Sequence, residues 1–94
     1  MAEEIKSELV VVDAVHDPEG GHITIRVRWR NTRGKATWFG PEKGYGVDAT
    51  AFNKRFNGDI QQVLNWIASE HQQYKGADPE VTKKMTALKG KVIG

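Results

Sequence analysis

Residues 23–30, Ile-Thr-Ile-Arg-Val-Arg-Trp-Arg, alternate apolar and polar side chains without a break. A two-residue period belongs to a strand with one buried face. Ile23, Ile25, Val27 and Trp29 fall on one side; Thr24, Arg26, Arg28 and Arg30 fall on the other. Upstream, residues 9–15 (LVVVDAV) are β-branched and extended, and DPEGG at 17–21 carries turn chemistry. Asp-Pro opens turns, and glycine supplies positive φ. Downstream, NTRG at 31–34 reads as a second turn and KATWFG at 35–40 as a third strand. The pattern predicts a three-stranded antiparallel meander.

Register follows from where Asp13 can go. With DPEG as the loop, His16 pairs with Gly21, Val12 faces Ile25, Val10 faces Val27 and Ala14 faces Ile23. Asp13 then lies beside Thr24, near Arg26. A slip of one residue would bury its carboxylate opposite Ile25, which is costly without a partner. With NTRG as the second loop, Trp38 sits opposite Val27 on the apolar side. Phe39 sits opposite Arg26 on the arginine side.

Beyond the third strand the period changes. PEKGYG at 41–46 reads as a loop, since proline and two glycines interrupt regular structure. Asp48 is placed to cap a short helix over 49–56, with Phe52 and Phe56 one turn apart. Asp59 caps the clearest helix, where Ile60, Val63, Leu64, Ile67 and His71 follow helical spacing up to Lys75-Gly76. Asp78 and Pro79 open a third helix carrying Val81, Met85 and Leu88. The expected fold class is α+β: the meander, then two or three helices packed on one face of the sheet. The chain, 1–94, reads as a single domain, with 1–7 as a flexible tail.

Composition narrows the function. Apolar residues make up 38% and charged residues 28%, a globular balance rather than a disordered one. With no cysteine, disulfides and thiolate chemistry are excluded. No secretory signal or membrane-length apolar run is visible, so the expected location is cytoplasmic, or nuclear in a eukaryote. Neither a nucleophile elbow nor a phosphate-gripping loop nor a matched acid and base stands out, so the expectation is a protein that is not an enzyme and uses no cofactor. His16 and His22 flank the first turn, too few ligands for a zinc site, and no metal is expected. His71, on its helix's apolar side, reads as a core-edge residue with its polar nitrogen satisfied.

Charge gives the candidate site. The net charge is +2, but four arginines and no acid lie between 26 and 33. The leading expectation is a small binding module that contacts nucleic acid, DNA or RNA, through a basic sheet face. The candidates are Arg26, Arg28, Arg30, Arg33 and Lys35 for phosphates, with Phe39 as a base-stacking group. The opposing reading is a solvated sheet face. The alternative class is a protein-interaction or inhibitor module, such as a phage or mobile-element accessory protein. It would use Trp66, Tyr45 and the loop at 41–47 as anchors.

LVVVDAV, IRVRW and TWFGP, followed by the helix DIQQVLNWIASEH, resemble a chromodomain. Trp38 follows Trp29 by nine residues, close to that family's spacing. The resemblance covers residues 8–41 and the helix. It implies an SH3-like curved sheet closed by a helix. The positions matching the family's methyl-lysine cage are Leu9, Trp29 and Thr32, of which Trp29 alone is aromatic. Phe39-Gly40 replaces a single acid before Pro41, and residues 42–57 form an insertion. The resemblance therefore concerns scaffold more than ligand.

Overall fold

The computed structural model describes residues 4–94. Four strands, β1 (Lys6–His16), β2 (Ile23–Arg33), β3 (Ala36–Phe39) and β4 (Lys43–Val47), form one antiparallel sheet. Helices α1 (Ala49–Lys54), α2 (Ile60–Glu70) and α3 (Pro79–Thr86) follow, with a 3-10 turn at Gln72–Tyr74. The α+β class is as expected. β1 runs along one side of β2. β3 and β4 share the other side, β3 beside Arg30–Arg33 and β4 beside Ile23–Val27. They act as one strand interrupted at 40–42.

The stretch 41–46 was expected to be a loop. Instead Lys43–Val47 is β4, with Tyr45 and Val47 buried and Gly44 and Gly46 exposed. Its two-residue period is carried by glycines on the wet side, which read as breakers in the sequence. Lys6 and Ser7 belong to β1, not to a tail. Of the tail expected over 1–7, positions 1–3 lie outside the described residues.

Both hairpins differ in register from the expectation. His16 pairs with Ile23, not Gly21, because residues 17–22 all lie in the turn. The Asp17 carboxylate accepts from the amides of Glu19 and Gly20, and Gly21 has φ +70°. These bonds make a longer, self-capped turn. In the second hairpin Asn31 and Thr32 are strand residues, and Gly34-Lys35 makes a two-residue loop. Gly34, at its first position, has φ +58°, as a II′ turn needs. Trp38 therefore faces Asn31, and Phe39 faces Arg30.

Asp13 nevertheless reaches the side expected of it. The pairing from Leu9↔Trp29 to Val11↔Val27 would place Asp13 opposite Ile25. A β-bulge between Val11 and Asp13 sets it opposite Arg26 instead, and Ala14 takes the place at Ile25. The bulge absorbs one residue and lifts the carboxylate off the apolar face.

The core is Ile23, Ile25, Val27, Tyr45 and Val47 from the sheet against Phe56, Val63 and Ile67. α2 covers the sheet through Val63 and Ile67, and α1 adds Ala51 and Phe52 at the margin. Asp48, Asp59 and Asp78 each cap their helix through the side chain, as the sequence predicts. α2 ends at Glu70, and His71 starts the 3-10 turn.

Two buried polar side chains fasten segment 71–78 to the sheet. Asn31 accepts from Ser7 Oγ at 2.7 Å and donates to the Lys75 carbonyl at 2.6 Å. His71 is fully buried; its Nε2 lies 3.2 Å from the Pro41 carbonyl and its Nδ1 lies 2.8 Å from the Tyr45 hydroxyl. A carbonyl only accepts, so Nε2 carries the proton and, in the neutral ring, Nδ1 accepts from Tyr45. Trp29 Nε1 donates to the His71 carbonyl at 2.8 Å. The crossing of 74–76 over 39–41 requires glycine: a Cβ on Gly40 would lie 2.4 Å from the Tyr74 carbonyl, and one on Gly76 2.7 Å from the Gly40 Cα.

Replacing Asn31 by Leu leaves the Lys75 carbonyl and Ser7 hydroxyl without this partner, and the expected loss is about 1–3 kcal/mol in urea unfolding. Gly40→Ala forces backbone apart at the crossing and is expected to cost a similar amount, about 1–3 kcal/mol. Gly44→Ala, whose added Cβ would come no closer than 3.4 Å to Arg26, is the control and should lose markedly less.

Candidate binding face

The arginine side of β2 is a real surface. Arg26, Arg28 and Arg30 share it with Asp13, opposite Arg26, and Phe39, opposite Arg30. Gly44 and Gly46 lie on this side beside Arg26 and Thr24. A Cβ at Gly46 would come within 2.9 Å of His22 Nε2, so the missing side chain makes room for the imidazole.

The charges on this face are largely matched. Arg26 Nε pairs with Glu42 at 3.1 Å, and Arg30 Nη2 pairs with Glu8 at 2.6 Å. Glu8 reaches Arg30 because β1 places it directly across the ladder. These pairs are solvent-exposed and contribute little to stability, but their carboxylates offset the field an anion would meet. Arg28 differs: among the described residues no acid pairs with it. Its guanidinium carbon lies 4.1 Å from the centre of the Phe39 ring, and its buried Nε has no hydrogen-bond partner. Phe39 is 46% exposed, so the stack is open to solvent. A cation over an aromatic face is stabilised by the ring quadrupole, which orients Arg28 without neutralising it.

Arg33 is not part of this face. Odd-numbered in β2, it lies on the side of Asn31 and Trp38, and its guanidinium grips Asp78 through two bonds, 2.7 and 3.0 Å. The pair joins the end of β2 to the start of α3. The Arg33 hydrogen bond holds the Asp78 carboxyl below its ordinary pKa, assisted by the Glu80 amide and opposed by desolvation. Lys35 sits exposed in the hairpin loop. The six candidates thus divide into four on one face, one at the turn and one on the opposite side.

The anchors expected for a protein interface are mostly core. Tyr45 is buried, with burial raising its pKa. Trp66 is half-buried, edge-on to Tyr45 at 5.8 Å and tilted on Phe56 at 5.6 Å. His71 is buried with both ring nitrogens partnered, as expected. Sequence reasoning missed two apolar surfaces. One is a groove of about 410 Å³ lined by Ala14, His16, Ile23, Ile25, Phe52 and Ile60, between the first hairpin and the first two helices. The other is α3 and its continuation, where Val81, Met85 and Leu88 are 45–60% exposed. The helical spacing of those three was legible; that nothing covers them was not.

Comparison with family models, curated proteins and solved structures found no match. Among the described residues no three His, Cys, Asp or Glu side chains come together as a metal site, and no helix is long and apolar enough to cross a membrane.

Because the folded Asp78 pKa is depressed, the clamp contributes in full above the ordinary carboxylate value of about 4. Its contribution fades as pH falls through the folded pKa. Arg33→Ala should raise the Asp78 titration midpoint, followed by carboxyl NMR, towards that ordinary value. A midpoint unchanged in the variant would mean that Arg33 does not hold the carboxylate in solution.

Proposed function

We propose that this protein is a non-catalytic binding module whose partner is a protein. The observation that carries the reading is the pair of uncovered apolar surfaces, the groove beside the first hairpin and the stripe on α3. Apolar area left open in a small domain is the ordinary mark of a contact surface. The compensated charge of the arginine face supports the same choice, because nucleic-acid affinity rests on unpaired cations meeting phosphates.

A second reading has its own support. Arg28 on Phe39 is an acid-free cation beside an exposed ring, the combination that grips a phosphate and stacks a base. In this reading the chain is a nucleic-acid-binding module centred on Arg28, with Arg26, Arg30 and Lys35 around it.

One pair of measurements separates them. Under the protein reading, immobilised chain captures protein from source-cell extract in a nuclease-resistant way. Val81→Glu with Met85→Glu loses that protein, and Arg28→Ala keeps it. Capture that nuclease abolishes would overturn this reading. Under the nucleic-acid reading, generic DNA or RNA binds at low salt, and Arg28→Ala lowers the salt slope by about one. Absence of binding at low salt would remove the second reading.

A further inference from the structure

The two uncovered apolar surfaces lie at opposite ends of one elongated molecule. The radius of gyration is 18.1 Å, against about 12 Å for a compact chain of this length. From Pro79 onward every residue is exposed, so α3 projects from the body. Its start is pinned by the Arg33–Asp78 pair at the far end of β2, whereas the groove contains Ile23 and Ile25 at the near end. Ten residues of strand separate Arg33 from Ile23, about 33 Å at strand rise. Residues 79–88 as helix span only about 15 Å. While the clamp holds, α3 cannot reach the groove of its own chain.

The surfaces also match in charge. Residues 79–94 carry four lysines (Lys83, Lys84, Lys89, Lys91) and one acid, Glu80. The turn of the first hairpin, residues 16–22, carries Asp17 and Glu19 and no lysine or arginine. Asp17 adjoins the groove residue His16, and Asp59 adjoins Ile60; the cations near it are Lys54 and Arg55 at the end of α1, and the Arg55 guanidinium is stacked on Phe56 and Trp66. An apolar stripe flanked by lysines therefore meets an apolar groove flanked mainly by acids.

We propose that the partner is a second copy of this chain. This rests on the protein reading above and names its partner. α3 of each copy lies in the groove of the other, Val81, Met85 and Leu88 against Phe52 and the exposed Ile60. One two-fold axis relating two antiparallel copies satisfies both contacts at once, which closes the assembly. The lysines of one copy then face Asp17, Glu19 and Asp59 of the other, which favours the antiparallel arrangement over a parallel one.

The test is the mass of the purified chain by sedimentation or light scattering from low to high micromolar concentration. The expected result is a dimer. Val81→Glu with Met85→Glu, at positions exposed in the monomer, should weaken it at least about tenfold while leaving the circular dichroism unchanged. Because the chain has no cysteine, Met85→Cys and Ile60→Cys provide a direct readout. The two single variants, mixed and oxidised, should form the mixed disulfide in preference to either homodimer. A monomer at every concentration with no mixed disulfide would overturn the inference. A dimer indifferent to the Val81 and Met85 charges would overturn it too. In either case the protein reading still stands or falls by its own capture experiment: a monomer that retains another protein loses only the second copy as partner.

Discussion

Every other strand hydrogen-bonds to β2, so the strict alternation of that one segment sets both faces of the domain. Ile23, Ile25, Val27 and Trp29 create the apolar side on which α2 rests. Arg26, Arg28 and Arg30 create the wet side by the same geometry. Neither face can change without the other, because a slip of one residue would exchange them. The bulge at Val12 shows the constraint acting on a neighbour. β1 gives up regular pairing to keep Asp13 away from Ile25, and in doing so places a carboxylate opposite Arg26.

Towards its end β2 changes character. After Trp29 the inward positions are Asn31 and Arg33, and the packing becomes polar. Asn31 holds the Lys75 carbonyl, Trp29 holds the His71 carbonyl, and Arg33 holds Asp78. Directional bonds take over where apolar area runs out. They fix a line of chain, 71–78, rather than a layer of side chains. Buried groups of this kind are costly to leave unpaired, so they specify the path of that segment closely. The absence of side chains at Gly40 and Gly76 completes the arrangement, since only bare backbone passes at that distance.

The parts legible in the sequence are those with local causes. The alternation of 23–30, the aspartate caps and the spacing of Val63 and Ile67 each depend on residues a few positions apart. β4 was hidden because glycine at 44 and 46 reads as a breaker, while Gly46 leaves room for the His22 imidazole. The registers were hidden because both turns take a length their composition does not dictate. Asp17 caps a six-residue turn, and buried Asn31 draws the second loop two residues further on. The pairing of Arg26 with Glu42, Arg30 with Glu8 and Arg33 with Asp78 spans 16 to 45 positions. No local pattern announces it, and it separates an arginine-rich stretch from a basic surface.

The uncovered groove follows from how segment 71–78 is used. A helix after α2 could return along the sheet and close the gap beside the first hairpin. Instead the chain leaves α2 at His71 and is held at Pro41, Trp29, Asn31 and Arg33 in turn, always moving towards the far end of β2. By the time α3 begins, it is a sheet-length from the groove beside the first hairpin, where Ile60 stays exposed. The same polar bonds that define the fold therefore hold α3 apart from the groove. An uncovered apolar stripe is what remains when the contacts specifying a small domain leave its own last helix with nowhere to pack.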